Sequence, residues 1–351
     1  MTIASRLAVI RADASPTIGG GHVHRCLSLA EALRSRGWRC VLAAREETAA
    51  VVPLPDWLGR VVLTGAAEEE PEAMRASLPA GADLLIVDHY GRSAAWEGRC
   101  RPWARRMLVI DDLADRPHDC DLLLDQAAGR VEGDYRRLVP EHCRLLLGPR
   151  VAILRPAFAS LREQALSRRR TPGRRLLVNF GAADPDGLGG RILAALAAIG
   201  EPFDLDLVCG ASVEHLPRLR RLAADLPGDV AVHGQVGDMA GLMARADLAI
   251  GAGGSASWER CALGLPAVIL TLAENQAQNA RTLAEAGAVL SMGFPAPGQE
   301  DRTARQALDL LKDGAALSAM AERAAALCDG LGAGRVCDAI DSLDATNRGQ
   351  T

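Results

Sequence analysis

A histidine set in a glycine turn is the first place where this chain could do chemistry: 18-IGGGHVHRCLSLAEALRSRGW-38. Apolar residues at Val23, Leu27, Ala30 and Leu33 recur at spacings of three and four, so the stretch reads as a helix with one face on a core. The strand LAVI and the loop RADASPTIGGG precede it, which puts His22 at the helix N-terminus, at the carboxyl edge of the first strand. There the helix dipole favours the neutral imidazole that a general base requires, whereas a bound phosphate would favour the charged form. The plainer alternative is a histidine that caps the helix or hydrogen-bonds in the core. Gly19, Gly20 and Gly21 let the chain turn tightly and let a ligand approach the backbone. Asp13 opens the loop, and Arg25 reads as a phosphate contact or as an ordinary helix-surface charge. His24 suggests a metal pair with His22, but two positions along a helix are about 200° apart, whereas zinc pairs need a spacing near four.

The second constellation is 247-DLAIGAGGSASWERCALGLP-266, a strand, a glycine turn and a helix. Backbone N–H groups at Gly253, Gly254 and Ser255, with the Ser255 hydroxyl, are suited to a phosphate. Glu259, one turn on, is placed to accept hydrogen bonds from a ribose diol. Diphosphate plus ribose means a nucleotide. The alternative is a close helix-to-strand packing turn with a surface glutamate. The turn also fits G-x-G-x-x-A with Glu274 about 20 residues on, but that dinucleotide fingerprint belongs to the first strand-to-helix turn of a domain. The sequence contains no G-x-x-x-x-G-K-[ST], so a P-loop ATPase is excluded. Smaller signals stand at other strand ends: Asp88, His89 and Tyr90; Asp111 and Asp112; Gly181 to Asp184; and Glu274, Asn275 and Gln276, whose amides suit sugar hydroxyls or acetamido groups. Each aspartate there could equally cap a loop.

These groups need elements to hold them. Short apolar runs at 7–10, 39–44, 60–64, 83–88, 107–111 and 121–125 alternate with helical patterns, and a second series starts afresh at 176–180, 203–209, 230–234, 247–251, 267–271 and 288–292. Each series reads as a doubly wound parallel sheet. The expected division is an N-terminal Rossmann-like domain over 1–160, a polar, arginine-rich linker over 161–175 and a C-terminal Rossmann-like domain with a helical tail over 176–351. Two such domains are expected to face one another across a ligand cleft.

With 351 residues, 49% of them hydrophobic, the chain can bury two cores. A net charge of −4 gives no basic field for nucleic acid or a membrane surface. No apolar run reaches the roughly 18 residues of a membrane span and no signal peptide is visible, so a cytoplasmic protein is expected. Nine irregularly spaced cysteines without C-x-x-C fit core positions better than disulfides or zinc. Lys312 is the only lysine, and the many arginines read mostly as solvated faces.

Taken together, RADASPTIGGGHVHRCLSLAEALRSRGW, VDHYG, IDDLADRPHDCDLLLDQ, GPRVAILRPAF, NFGAADP, ADLAIGAGGSASWERCALGLPAVIL and AENQ resemble the PseG family across nearly the whole chain. These are UDP-sugar hydrolases of pseudaminic acid biosynthesis, related in fold to MurG-type glycosyltransferases. The resemblance implies a GT-B architecture and release of UDP from UDP-2,4-diacetamido-2,4,6-trideoxy-β-L-altropyranose. It implies His22 as the water-activating base, Tyr90 beside it and Asn275 on the sugar side, with no metal and no cofactor. Gly253, Gly254 and Ser255 correspond to the diphosphate turn, Glu259 to the ribose acid and Val236 to the uracil-reading backbone. Asp13, Gly20, Gly21, Arg25, Gly181, Asp184, Glu274 and Gln276 complete the implied substrate set. Two departures stand out: His24 replaces a frequent methionine, and GAADP replaces GGSDP, which leaves only backbone contacts at Ala182 and Ala183.

The chemistry is coherent on its own terms. A sugar ether needs an acid to protonate its alkoxide, but a nucleoside diphosphate has a terminal phosphate pKa of about 6 and leaves unprotonated, so one base suffices. Attack from the far side predicts inversion. The rival readings are a glycosyltransferase of the same fold, a metal-dependent hydrolase using Asp88, His89, Asp111 and Asp112, and a non-catalytic nucleotide-sugar binder. The expected partner is a UDP-sugar, and the protein is expected to be a monomer.

Overall fold

The computed structural model describes residues 6–15, 17–171, 173–181, 184, 187–209, 216–234 and 236–348, the last five of these for their helical backbone alone. The chain divides into two compact units, Met1–Leu154 with Leu331–Thr351, and Arg155–Gly330.

The first unit holds seven strands: β1 Leu7–Ala12, β2 Arg39–Ala44, β3 Gly59–Val62, β4 Leu84–Asp88, β5 Met107–Ile110, β6 Leu122–Asp125 and β7 Arg144–Leu147. Their order is β3-β2-β1-β4-β5-β6-β7, and every pairing is parallel. The sequence of β1 shows why both faces must be covered. Ala8, Ile10 and Ala12 point into one apolar cluster, while Leu7 and Val9 point into another, so the strand is buried throughout. The second unit repeats the plan with β8 Arg175–Asn179, β9 Asp204–Val208, β10 Val230–His233, β11 Leu248–Ala252, β12 Ala267–Leu270 and β13 Val289–Ser291, in the order β10-β9-β8-β11-β12-β13. Strand order reverses between β1 and β4 in one sheet and between β8 and β11 in the other. In doubly wound sheets such switch points are where ligands bind.

The expected elements are present, and the domain limits shift. β7 is an additional strand, with Leu146 buried. The stretch read as a linker is mostly the helix Pro156–Arg168, which buries Phe158 and Ala165 within the second unit. Its Arg162 donates to the carbonyls of Ala325 and Cys328 at 2.7 and 2.9 Å. The final helix, Gly332–Arg348, belongs to the first unit and not to a tail of the second. Its Val336, Cys337, Ala339 and Ile340 enter the first unit's core, and Asp341 pairs with Arg6 and Arg36. Fully burying a residue such as Val336 or Ile340 stabilises by about 1.5–3 kcal/mol, which outweighs position in the chain.

A few of the arginines leave the solvated faces. Arg11, Arg92, Arg169 and Arg260 are buried, Arg11 completely. Arg11 and Arg92 each grip the buried carboxylate of Glu70 with two nitrogens, and Arg45 adds a third contact at 3.1 Å. All nine cysteines are thiols outside any disulfide, and all but Cys143 are buried. Among the described residues, no helix is long and apolar enough to cross a membrane.

Candidate functional site

In the first unit the switch point is occupied by charged side chains. Gly19 turns the loop in the left-handed region at φ +72° and donates its N–H to the Ser15 carbonyl at 2.8 Å. The helix Gly21–Ser35 then begins after Gly20 without a side-chain cap, so His22 is its second residue and does not cap it. A Cβ on Gly20 would stand 2.8 Å from Val52, whereas one on Gly19 or Gly21 would meet nothing within 4 Å, so Gly20 is the closely packed member of the three. Register places Asp88, the last residue of β4, beside Ala12 of β1. From there its carboxylate reaches the helix.

His22 Nδ1 lies 2.6 Å from Asp88 Oδ1. Arg25 donates to the same carboxylate twice, from Nε to Oδ2 and from Nη2 to Oδ1, both at 2.6 Å. The Cys26 thiol approaches Oδ2 at 3.5 Å. Burial alone pushes the Asp88 carboxyl up; the charge and hydrogen bonds of Arg25 and His22 outweigh it and hold the group well below the usual carboxylate range. An ionised Asp88 can only accept, which assigns the imidazole proton to Nδ1 and leaves the lone pair on Nε2. Among the described residues Nε2 has no hydrogen-bond partner. The Tyr90 ring stands edge-on to the imidazole, at 4.8 Å and 87°, and its hydroxyl donates to Asp112 at 3.3 Å. Asp112 also lies 3.8 Å from Arg25. An imidazole oriented by a buried carboxylate, with its second nitrogen available, is built to take a proton.

Asp13 is turned into the protein. It accepts from Arg11 at 2.7 Å and from the Arg45 amide at 2.8 Å, and lies 3.4 Å from His89 Nε2. His89 Nδ1 accepts from the Gly91 amide at 2.9 Å, so its proton is on Nε2, facing Asp13. Asp111 accepts from the Tyr135 hydroxyl and the amides of Leu113 and Ala114. Asp88, His89 and Asp111 are thus committed to separate partners. Among the described residues no three His, Cys, Asp or Glu side chains converge as metal ligands would.

In the second unit the switch point is backbone. After β11 the chain turns through Gly253, Gly254 and Ser255 into the short helix Ala256–Ala262. The Gly254 and Ser255 carbonyls accept from Ser257 and Trp258 at 2.9 and 3.1 Å. The Gly253 amide, expected to face a phosphate, instead donates to the Leu270 carbonyl at 3.1 Å, while among the described residues nothing accepts from the amides of Gly254, Ser255 and Ala256. The glycines serve packing as well: Cβ atoms on Gly253 and Gly254 would meet Ala280 and Gln276 at 3.4 Å. The Glu259 carboxylate makes no hydrogen bond among the described residues; its nearest cation is Arg155 at 4.0 Å, and its side chain is 24% exposed. Burial pushes its carboxyl up, against the pull of Arg155 and Arg260.

The remaining candidates are scattered along the same edge. Glu274 and Asn275 are exposed on the short helical turn Glu274–Gln276, and Gln276 accepts from the Leu272 amide at 3.1 Å. Gly181 follows β8 at φ +100°. Asp184 caps the helix Leu188–Ile199, accepting from Leu188 and Gly189 at 2.9 Å each. Val236 is half-buried after β10, while Ala182 and Ala183 lie outside the described residues. What the sequence did not disclose is the Asp88 link from His22 to Arg25. The signal was the strand order: in a 3-2-1-4 sheet, the ends of β1 and β4 are neighbours.

Residues 226–327 match the glycosyltransferase family 28 C-terminal domain. The spore coat polysaccharide biosynthesis protein SpsG of Bacillus subtilis is 29% identical over 291 residues, 81% of this chain and 83% of that one. The UDP-2,4-diacetamido-2,4,6-trideoxy-β-L-altropyranose hydrolase of Campylobacter jejuni is 30% identical over 150 residues, 43% of this chain and 52% of that one. The crystal structure of Acinetobacter baumannii MurG superimposes with a TM-score of 0.67 at 17% identity, covering 96% of this chain and 99% of the other. The chain therefore has the GT-B fold class of two doubly wound parallel-sheet units, and its second unit carries the match to the glycosyltransferase family 28 C-terminal domain.

Proposed function

We propose that this protein is a UDP-sugar hydrolase, with UDP-2,4-diacetamido-2,4,6-trideoxy-β-L-altropyranose as its substrate. The observation that carries the reading is the Asp88–His22 pair with Nε2 unengaged. In the first unit, His22 Nε2 takes a proton from water as the water oxygen bonds to the anomeric carbon. Asp88 holds the ring and stabilises the imidazolium that results. The bond from that carbon to the phosphate oxygen breaks, and its electron pair leaves with UDP. In the second unit, the amides of Gly254, Ser255 and Ala256 bind the diphosphate and Glu259 accepts from the ribose hydroxyls. Holding the growing phosphate charge with fixed N–H donors replaces a general acid. Tyr90 packs against the base, and Asn275 is assigned to the sugar. The C. jejuni hydrolase supports the substrate choice over the part of the chain it matches.

The test is release of UDP from that nucleotide sugar in buffer without acceptor, with the first-formed anomer read by proton NMR. Turnover that needs an added acceptor would move the protein to the second reading, a GT-B glycosyltransferase, which the family 28 match favours. Inversion is expected on either reading. Retained activity in excess chelator is expected of a reaction driven by His22 alone.

A further inference from the structure

We infer that Asn279 is a positioning residue for the nucleotide: it holds the Gly253 carbonyl inward so that the next amide, Gly254 N–H, faces the diphosphate. This rests on the reading of the second unit as the UDP-holding part.

The inference comes from following each peptide through the turn. Among the described residues no peptide bond is cis, and in a trans peptide the C=O and the following N–H point in opposite directions. Fixing a carbonyl therefore aims the next amide. Arg260, buried in the helix behind the turn, donates to the Ala252 carbonyl at 2.6 Å and to the Ser257 hydroxyl at 2.9 Å. The opposite side of that peptide, Gly253 N–H, closes onto the Leu270 carbonyl at 3.1 Å. At the next peptide the Gly253 carbonyl accepts from Asn279 Nδ2 at 2.8 Å, in a buried bond that spans 26 positions. Gly254 N–H is thereby turned away from the protein. The two carbonyls after it are held by Ser257 and Trp258, helix bonds that any residue types would make. Asn279 supplies its constraint from a side chain on the helix Ala277–Glu285, beyond the helix into which the turn leads.

A glycine-glycine peptide is among the least restrained backbone links, so without a donor at position 279 it can rotate. Rotation would aim a carbonyl at the phosphate in place of an amide. Arg260 works in the same direction: its Nε has no hydrogen-bond partner, which leaves part of its buried positive charge unneutralised behind the turn. A hydrogen bond to a charged acceptor is worth roughly twice a neutral one, so loss of the Gly254 contact should weaken UDP binding about tenfold.

The experiment is titration calorimetry of UDP and of uridine on wild type, Asn279→Ala and Asn279→Asp. Aspartate keeps the shape and presents an acceptor to the carbonyl. Both variants should bind UDP about tenfold more weakly and uridine as wild type does. The Gly254 amide resonance, shifted by UDP in wild type, should no longer respond. Equal loss for uridine and UDP, unchanged UDP affinity, or failure of both variants to fold would overturn the role assigned to Asn279. Failure of wild type to bind UDP at all would instead overturn the nucleotide reading of the second unit.

Discussion

Two sheets of the same topology end in opposite chemistries. At the switch point of the first unit, Asp88, Arg25, His22 and Asp112 form a connected set of ionisable side chains. At that of the second, the groups facing outward are amides of Gly254, Ser255 and Ala256, with one carboxylate, Glu259, whose closest cation is Arg155 at 4.0 Å. The difference is one of proton mobility. Side chains can gain and lose a proton during a reaction, so the first unit is equipped to do acid–base work. Backbone amides keep theirs, so the second is equipped to hold a charge that stays negative.

That contrast can be broken in order of expected effect. Replacing His22 with alanine should lower kcat by about 10²–10⁴-fold, the usual worth of a general base, and leave UDP affinity unchanged by calorimetry. If UDP affinity falls in parallel, the division of labour between the units is wrong. Asp88→Asn should also lower kcat, because the amide no longer dictates which imidazole nitrogen carries the proton. It also leaves the Arg25 guanidinium without its carboxylate, at about 3 kcal/mol of stability measurable by urea unfolding. Substituting Glu259 with glutamine should weaken UDP about tenfold but leave 2′,3′-dideoxy-UDP unaffected. Equal weakening of both ligands would show that the carboxylate does not read the ribose.

The smallest effect is on stability against acid. Asp88, Asp13 and Glu70 are each held below their ordinary values: burial pushes the other way, and hydrogen bonds and charges from Arg25 and His22, from His89 and Arg11, and from Arg11 and Arg92 overcome it. Groups depressed in the folded state contribute stability that is complete above the unfolded value near 4 and is lost as pH falls through the folded one. The Tm should therefore hold from neutrality to about pH 5 and fall below about pH 4. The fall should be shallower in Glu70→Gln, which no longer has that proton to take up.

The strands were legible because a parallel sheet buried on both faces writes itself as unbroken apolar runs, as LAVI and LLIVD do. Glycine turns after strands were legible for the same local reason. Partnerships across the sheet were not. His22 and Asp88 are 66 positions apart, and only the strand order brings them together. Arg25 read as a phosphate contact or a surface charge because nothing near it in sequence shows that Asp88 lies beneath it. Asp13 and Asp184 were visible as polar residues after strands, but whether such a carboxylate faces a ligand or its own backbone depends on loop geometry that composition does not encode.

The path of the chain through its last helix has a consequence of its own. Residues 155–330 are enclosed by the two segments that make up the first unit, and the points of departure and return are close. Gly332 is packed so tightly against Val151 and Ala152 that a Cβ there would overlap them, and Gly330 lies against Ala159. The second unit is thus a removable cassette inserted in the chain of the first. A gene that joins position 154 to 331 would encode the first unit alone with its hydrophobic interior complete, whereas cutting after 330 would strip away part of that interior while leaving every residue of the proposed chemistry in place.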